Sequence, residues 1–526
     1  MESATTGDLI AELVTGSLPG AFSATAARYP DRPALLFPAG RRGWQTHATL
    51  DEAAARTAGW LIKEGLRPGE RVLLCGHNDP ALVTAYLAIL RSGAVVVLAN
   101  PAYTADELTH LVTDSGARLA IAARPAAAAL ANLPVSMVSL DEPLPVADPA
   151  PVTALGPGDI AMLAYTSGTT GAPKGVQLTH GNLLSSIRAA MLAWQWSTDD
   201  VLVHALPLSH QHGLGGVHAT LLAGSAAVIL PNFDPGTLTE AALAHSASVL
   251  FAVPAIYQRL AETPAAAARL AEAGLRLAIS GSAPLSQELA GKVAAIMGMP
   301  PLERYGSTES GLNVSNPIDG PRRPGTVGLP LPGVQLRIAD EAGGELPVGE
   351  EGEILLRGPQ VFSGYWQRPD ATAEAFHDGG WFRTGDLGRI DESDGYLSIT
   401  GRIKELIITG GMNVYPREVE LALQRHPTVA QAAVAGLPSA RWGEQVTAWV
   451  VPAEGAEVDP EQLIAHSRRL LAAYKCPKQV FLSESLPHNS MGKLRRRALV
   501  AALGLDAPQD TTALERAATK LRQAEL

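Results

Sequence analysis

Residues Tyr165–Val176 read YTSGTTGAPKGV, and seven of these twelve residues are Thr, Ser or Gly. Ahead of the stretch, Ile160, Ala161, Met162, Leu163 and Ala164 form an apolar run with the length of a buried strand. Behind it, Leu183, Leu184, Ile187, Ala190, Met191 and Trp194 recur at helical spacing. The loop between carries Thr166, Ser167, Gly168, Thr169, Thr170 and Lys174. Its glycines let backbone approach a ligand closely, and oriented N–H dipoles with hydroxyls suit a polyanion. Such a loop is suited to phosphates. The commoner phosphate loop needs Ser or Thr directly after its lysine, whereas Gly175 follows Lys174 here. A plain surface loop would have no use for Lys174 or for the strand before it.

At 526 residues the chain exceeds one hydrophobic core, and its length predicts several domain-sized units. A content of 46% hydrophobic and 18% charged residues is that of a globular protein, not of a disordered one. The net charge of −11 argues against a general nucleic-acid binder, so any anion must be met by individually placed cations. Cys75 and Cys476 are the only cysteines, too few for a disulfide framework. The N-terminal stretch carries Glu2, Asp8 and Glu12 without a basic start, and no apolar run reaches about 18 residues. A cytoplasmic protein is expected.

Short apolar runs alternate with helical patterns up to about residue 155, as in Arg71–Cys75, the helix expected over Pro80–Leu90, and Ala94–Leu98. This alternation predicts parallel sheets in an α/β arrangement. Glu142–Asp159 reads as a linker, and a second α/β unit is expected to Leu329, with strands at Ala226–Leu230, Val249–Val253 and Leu275–Ile279. From Gly333 the pattern turns to short strands separated by Gly, Asp and Pro, then returns to mixed α/β after Gly401. The expected fold class is α/β. Two α/β subdomains (about 1–155 and 156–332) and a β-rich one (333–402) form a large N-terminal part. A smaller mobile α+β C-terminal domain (403–505) and a tail (506–526) follow.

The opening loop resembles the nucleotide loop of the adenylate-forming superfamily, which includes acyl- and aryl-CoA synthetases, carrier-protein adenylation domains and luciferases. Further segments resemble that family's motifs in its order. Glu303–Ser310 (ERYGSTES) is similar to its YGxTE motif. The resemblance implies Tyr305 and Gly306 against adenine, Thr308 at the α-phosphate and Glu309 on Mg²⁺. Ser282, Ala283 and Pro284 resemble the adenine wall, Asp386 (in TGDLG) the ribose ligand, and Arg402 (in GRIKELIITGG) its partner. Lys404 falls at the family's hinge. Gly410 and Gly411 resemble the passage for the pantetheine arm of CoA, although adjacent glycines equally make a simple turn. Lys493, in PHNSMGK, resembles the C-terminal catalytic lysine.

The stretch His204–Gly216 (HALPLSHQHGLGG) resembles the segment bordering the acyl pocket. His210 matches its gate, while His212 and Gly213 fall among pocket residues. Ser209 stands where the family commonly has Phe or Tyr. His204, His210, His212 and His218 suggest zinc, but no acid or cysteine joins them. Arg259 and Arg304 resemble arginines that hold the distal carboxylate in the malonyl-CoA synthetase branch. Ser209 with the small residues Gly213, Gly215 and Gly216 points the other way, to a bulkier acid. The resemblance therefore implies an ATP-, Mg²⁺- and coenzyme A-dependent acid–CoA ligase. Two other readings stay open: an adenylation enzyme loading a carrier-protein thiol, and an enzyme keeping one half-reaction.

Overall fold

The computed structural model describes residues 12–38, 43–166, 172–283, 285, 287–340, 342–402, 407–414, 416–487 and 496–503. Two compact units result: a larger one of Met1–Pro101, Leu108–Thr166 and Lys174–Ile403, and a smaller one of Ala102–Glu107, Ser167–Pro173 and Lys404–Leu526. The fold is mixed α/β.

The larger unit holds three sheets. The first orders its strands Gly364–Tyr365, Lys174–Thr179, Ile160–Thr166, Val95–Ala99, Arg71–Cys75, Leu119–Ala122 and Ser136–Ser139. Its central strands are parallel and almost wholly buried, as continuous Val/Leu runs require. The second runs Leu329–Pro330, Gly311–Ser315, Leu302–Ser307, Leu277–Ser280, Val249–Ala252, Val201–His204, Ala226–Ile229, Pro33–Leu36 and Gln45–Thr46. The third is antiparallel and centres on Gly352–Arg357 and Trp381–Ile390. In the smaller unit, the long hairpin of Val429–Ser439 and Gly443–Pro452 packs with helix Pro416–Gln424 over its own apolar core.

Sheet membership corrects the expected subdomain limits. Pro33–Leu36 pairs with Ala226–Ile229 in the second sheet, and Ile160–Thr166 joins the first. A boundary near 155 therefore cuts through both sheets, because parallel strands take partners from distant sequence. The opening loop differs too. Lys174–Thr179 is itself a strand, antiparallel to Ile160–Thr166, with Thr166 opposite Lys174. The helix follows only at His180–Ala193, started by a reciprocal cap in which Thr179 Oγ1 accepts from Asn182 N and Asn182 Oδ1 accepts from Thr179 N.

Candidate active site

Of the expected site residues, Ser167, Gly168, Thr169, Thr170, Pro284, Lys404 and Lys493 lie outside the described residues. For Arg402 the backbone alone is described, and it stands opposite Asp386 in the antiparallel pair Trp381–Ile390 and Leu397–Arg402. The others can be placed.

Leu302–Ser307 sits at the centre of the site, because its side chains alternate between two faces. Tyr305, nearly buried, donates from its hydroxyl to Asp386 Oδ2 at 2.7 Å. Thr384 Oγ1 in turn accepts from Asp386 N, fixing the turn that presents this carboxylate. Gly306 follows on the same strand, opposite Leu312. In the turn after the strand, Glu309 Oε1 accepts from Thr166 Oγ1 and from the Tyr365 hydroxyl, each at 3.2 Å. Lys174 Nζ lies 5.2 Å from the Tyr365 ring centroid, a cation–π distance. Two carboxylates and one lysine are so gathered from three separate sheets.

The second cluster forms at the start of helix Gln211–Ala223. His210 is its N-cap residue, and Asn100 Nδ2 donates to His210 Nε2 at 3.2 Å. Gln211 Nε2 donates to Thr308 O at 3.0 Å, joining this helix to the turn that carries Glu309. His212 Nδ1 meets Ser282 Oγ at 3.2 Å, and Ser282 itself holds φ at 70°, beside Ala283. Beneath them lies Arg304, 8% exposed, whose guanidinium makes no hydrogen bond or ion pair among the described residues. A Cβ at Gly281 would stand 2.3 Å from Arg304 Nε, so the glycine makes room for the arginine. Burial draws the Arg304 pKa down to about 10, which leaves it charged at neutral pH. His212 is held well below the usual histidine range, first by burial and then by Arg304, His204 and His210. His212 Nε2 and His204 Nε2 are buried and make no hydrogen bond among the described residues.

Two expectations need correction. Arg259 is exposed and stacks over Phe233 at 5.5 Å, apart from the Arg304 cluster. As a long polar side chain in the last turn of helix Pro254–Glu262, it faces solvent beside Asp234. The glycines of the helix start do not widen a pocket. A Cβ at Gly213 would meet Pro207 O at 2.5 Å, one at Gly215 would face Ile187, and one at Gly216 would meet Leu202 at 2.7 Å. They let the helix lie against its own loop and sheet. Of the four histidines, His218 Nε2 pairs with the Tyr86 hydroxyl at 2.8 Å, and His204 Nδ1 accepts from Leu206 N. Tyr365 was not singled out by sequence, since only its long-range pairing with Val176 brings it to Glu309.

In the smaller unit, Gly410 and Gly411 form the two-residue turn between Ile407–Thr409 and Met412–Val414, with φ of 57° and 79°. Positive φ at both positions is what a tight hairpin demands. Trp442 lies over this turn, and a Cβ on Gly410 would be 3.2 Å from its ring.

Two family models match the chain: AMP-binding enzyme over residues 22–366, and AMP-binding enzyme C-terminal domain over 418–493. A feruloyl-CoA synthase from an Amycolatopsis species is 39% identical over 456 residues, covering 85% of this chain and 92% of the relative. An oxalate–CoA ligase from Arabidopsis thaliana is 37% identical over 517 residues, covering 94% and 99%. Among solved structures, a malonyl-CoA ligase in a ternary product complex with methylmalonyl-CoA and AMP matches with a TM-score of 0.77. It shares 39% identity, with 87% of this chain and 97% of that one covered. Motif order, the gathering of Thr166, Tyr305, Glu309 and Asp386, and these matches agree: the chain belongs to the AMP-binding enzyme family.

Proposed function

We propose that this chain is an AMP-forming acid–CoA ligase whose acid is a short dicarboxylate. In the first step a carboxylate oxygen attacks the α-phosphorus of ATP, and pyrophosphate leaves. In the second the CoA thiol attacks the acyl carbonyl, losing its proton, and AMP leaves. Tyr305 packs against adenine, and Asp386 accepts from the ribose hydroxyls with the lone pairs that Tyr305 does not use. Lys174 and Thr308 serve the phosphates. Glu309 is a hard oxygen donor of the kind that holds Mg²⁺ together with nucleotide phosphates, and so it fits that ion. Bound there, Mg²⁺ would neutralise phosphate charge as the acid approaches. His210 is the proposed gate to the acid, Lys404 the hinge, Arg402 a partner of the ribose end, and the Gly410–Gly411 turn the edge of the pantetheine passage.

The observation that carries the acid assignment is Arg304. A buried arginine whose Nε has no partner among the described residues is costly, and a distal carboxylate would satisfy it with charge-assisted bonds. The bulkier-acid reading loses the support of the helix glycines. Two buried free cysteines support a cytoplasmic location, and among the described residues no helix is long and apolar enough to cross a membrane.

Pyrophosphate exchange with oxalate, malonate and ferulate, each with and without CoA, tests the reading. Exchange strongest with a short dicarboxylate is expected, and exchange confined to ferulate would overturn the acid assignment. Product analysis with CoA against a carrier protein identifies the acceptor. Lys493→Ala should abolish exchange yet spare thioester formation from pre-made acyl-AMP. Exchange that survives this change would remove the lysine from the first step.

A further inference from the structure

We infer that Tyr365 is a positioning residue for the Glu309 carboxylate, and so for the metal–nucleotide complex that the proposed function places there. A carboxylate on a turn rotates freely about its terminal bond unless neighbours fix it. Here Glu309 Oε1 takes two hydroxyl donors, from Thr166 and from Tyr365, each at 3.2 Å. Two donors on one oxygen set the plane of the carboxylate, and partners of this kind orient a ligand and tune its basicity.

The local fold delivers the tyrosine to that point. Tyr365 pairs with Val176 on the strand that begins at Lys174, and Trp366 N donates to Gly175 O at 2.7 Å. Phe362 N donates to Glu309 O at 2.7 Å, so the same short segment also grips the turn carrying the carboxylate. Asn182 Nδ2 holds Pro359 O and Val361 O just upstream, and Tyr365 N donates to Thr372 Oγ1. The Phe362 ring meets the Tyr365 ring edge-on at 4.9 Å and fixes its tilt. On the Tyr365 ring, 5.2 Å from its centroid, rests Lys174 Nζ. One side chain therefore contacts both the carboxylate for the metal and the lysine for the phosphates. Its hydroxyl acts on the first, and its ring on the second.

This separation gives the test. Tyr365→Phe removes the hydroxyl and keeps the ring, whereas Tyr365→Leu removes both. Mn²⁺ would be titrated by electron paramagnetic resonance into the full chain with ATP and no acid. ATP affinity would be measured calorimetrically in EDTA alongside it. For Tyr365→Phe we expect Mn²⁺ affinity in the ATP complex to fall roughly tenfold, with metal-free ATP affinity unchanged. Tyr365→Leu should also weaken metal-free ATP binding. Wild-type Mn²⁺ affinity in Tyr365→Phe would overturn the inference, and so would an equal loss of metal-free ATP binding in that variant. A wild-type chain that binds neither ATP nor Mn²⁺–ATP would instead overturn the proposed function.

Discussion

At the proposed nucleotide end, Tyr305 donates to Asp386, and Thr166 and Tyr365 share Glu309. At the proposed acid end, Arg304 Nε, His212 Nε2 and His204 Nε2 are buried and make no hydrogen bond among the described residues. A buried polar group without a partner costs about 1–3 kcal/mol, and more when charged. The first region is thus fixed by the protein itself and awaits a ligand of known shape. The second carries a cost that a ligand would remove, and its chemistry is chosen by what that ligand brings. Nucleotide handling is built in, while selectivity is held in unspent hydrogen-bonding capacity.

The largest expected effect is at the acid end. Arg304→Met should raise the KM for a dicarboxylate by about a hundredfold, the scale of losing one partner of a buried charge pair. Calorimetric ATP affinity should stay as in the wild type, and the thermal midpoint should rise because an unpaired buried cation is gone. An unchanged KM for the acid would break the comparison.

Glu303, next to Arg304 but on the opposite face of the strand, asks whether unmet burial extends further. Burial raises its pKa from 4.5 to about 7, against the N–H groups of Gly325 and Leu285. The folded chain then holds that proton more tightly than the unfolded chain. Its contribution to stability falls as pH climbs from about 4.5 to about 7, by on the order of 3 kcal/mol, and is level above. Glu303→Gln should remove that part of the dependence in denaturation curves at pH 5 and pH 8. Identical curves for the two proteins would take Glu303 out of the account.

The smallest effect belongs to the paired end. Tyr305→Phe deletes one hydrogen bond to Asp386, worth about 1 kcal/mol, so the KM for ATP should rise severalfold. The ranking of acids should not move. A changed ranking would mean that the two ends are not separable.

Sequence legibility follows the same division. Thr166, Tyr305, Glu309 and Asp386 stand in short motifs whose chemistry is local, and the structure pairs Thr166 with Glu309 and Tyr305 with Asp386. Arg259 and Arg304 look alike in sequence, since burial depends on which helix or strand covers each; one is exposed and the other enclosed. Gly213, Gly215 and Gly216 read as space in sequence, yet packing fills each position. Tyr365 escaped notice because its pairing with Val176, across nearly two hundred residues, leaves no local signal.

The interleaving of the two large sheets has a consequence for biosynthesis. Leu35 lies beside Ala227 in a parallel pair, so the strand Pro33–Leu36 has only the two-residue strand Gln45–Thr46 beside it until its parallel partner, almost two hundred residues later, has been made. The emerging chain must carry an apolar edge through that interval, when aggregation competes with folding. Slowing translation just after residue 230 should therefore raise the soluble yield more than slowing it before residue 150.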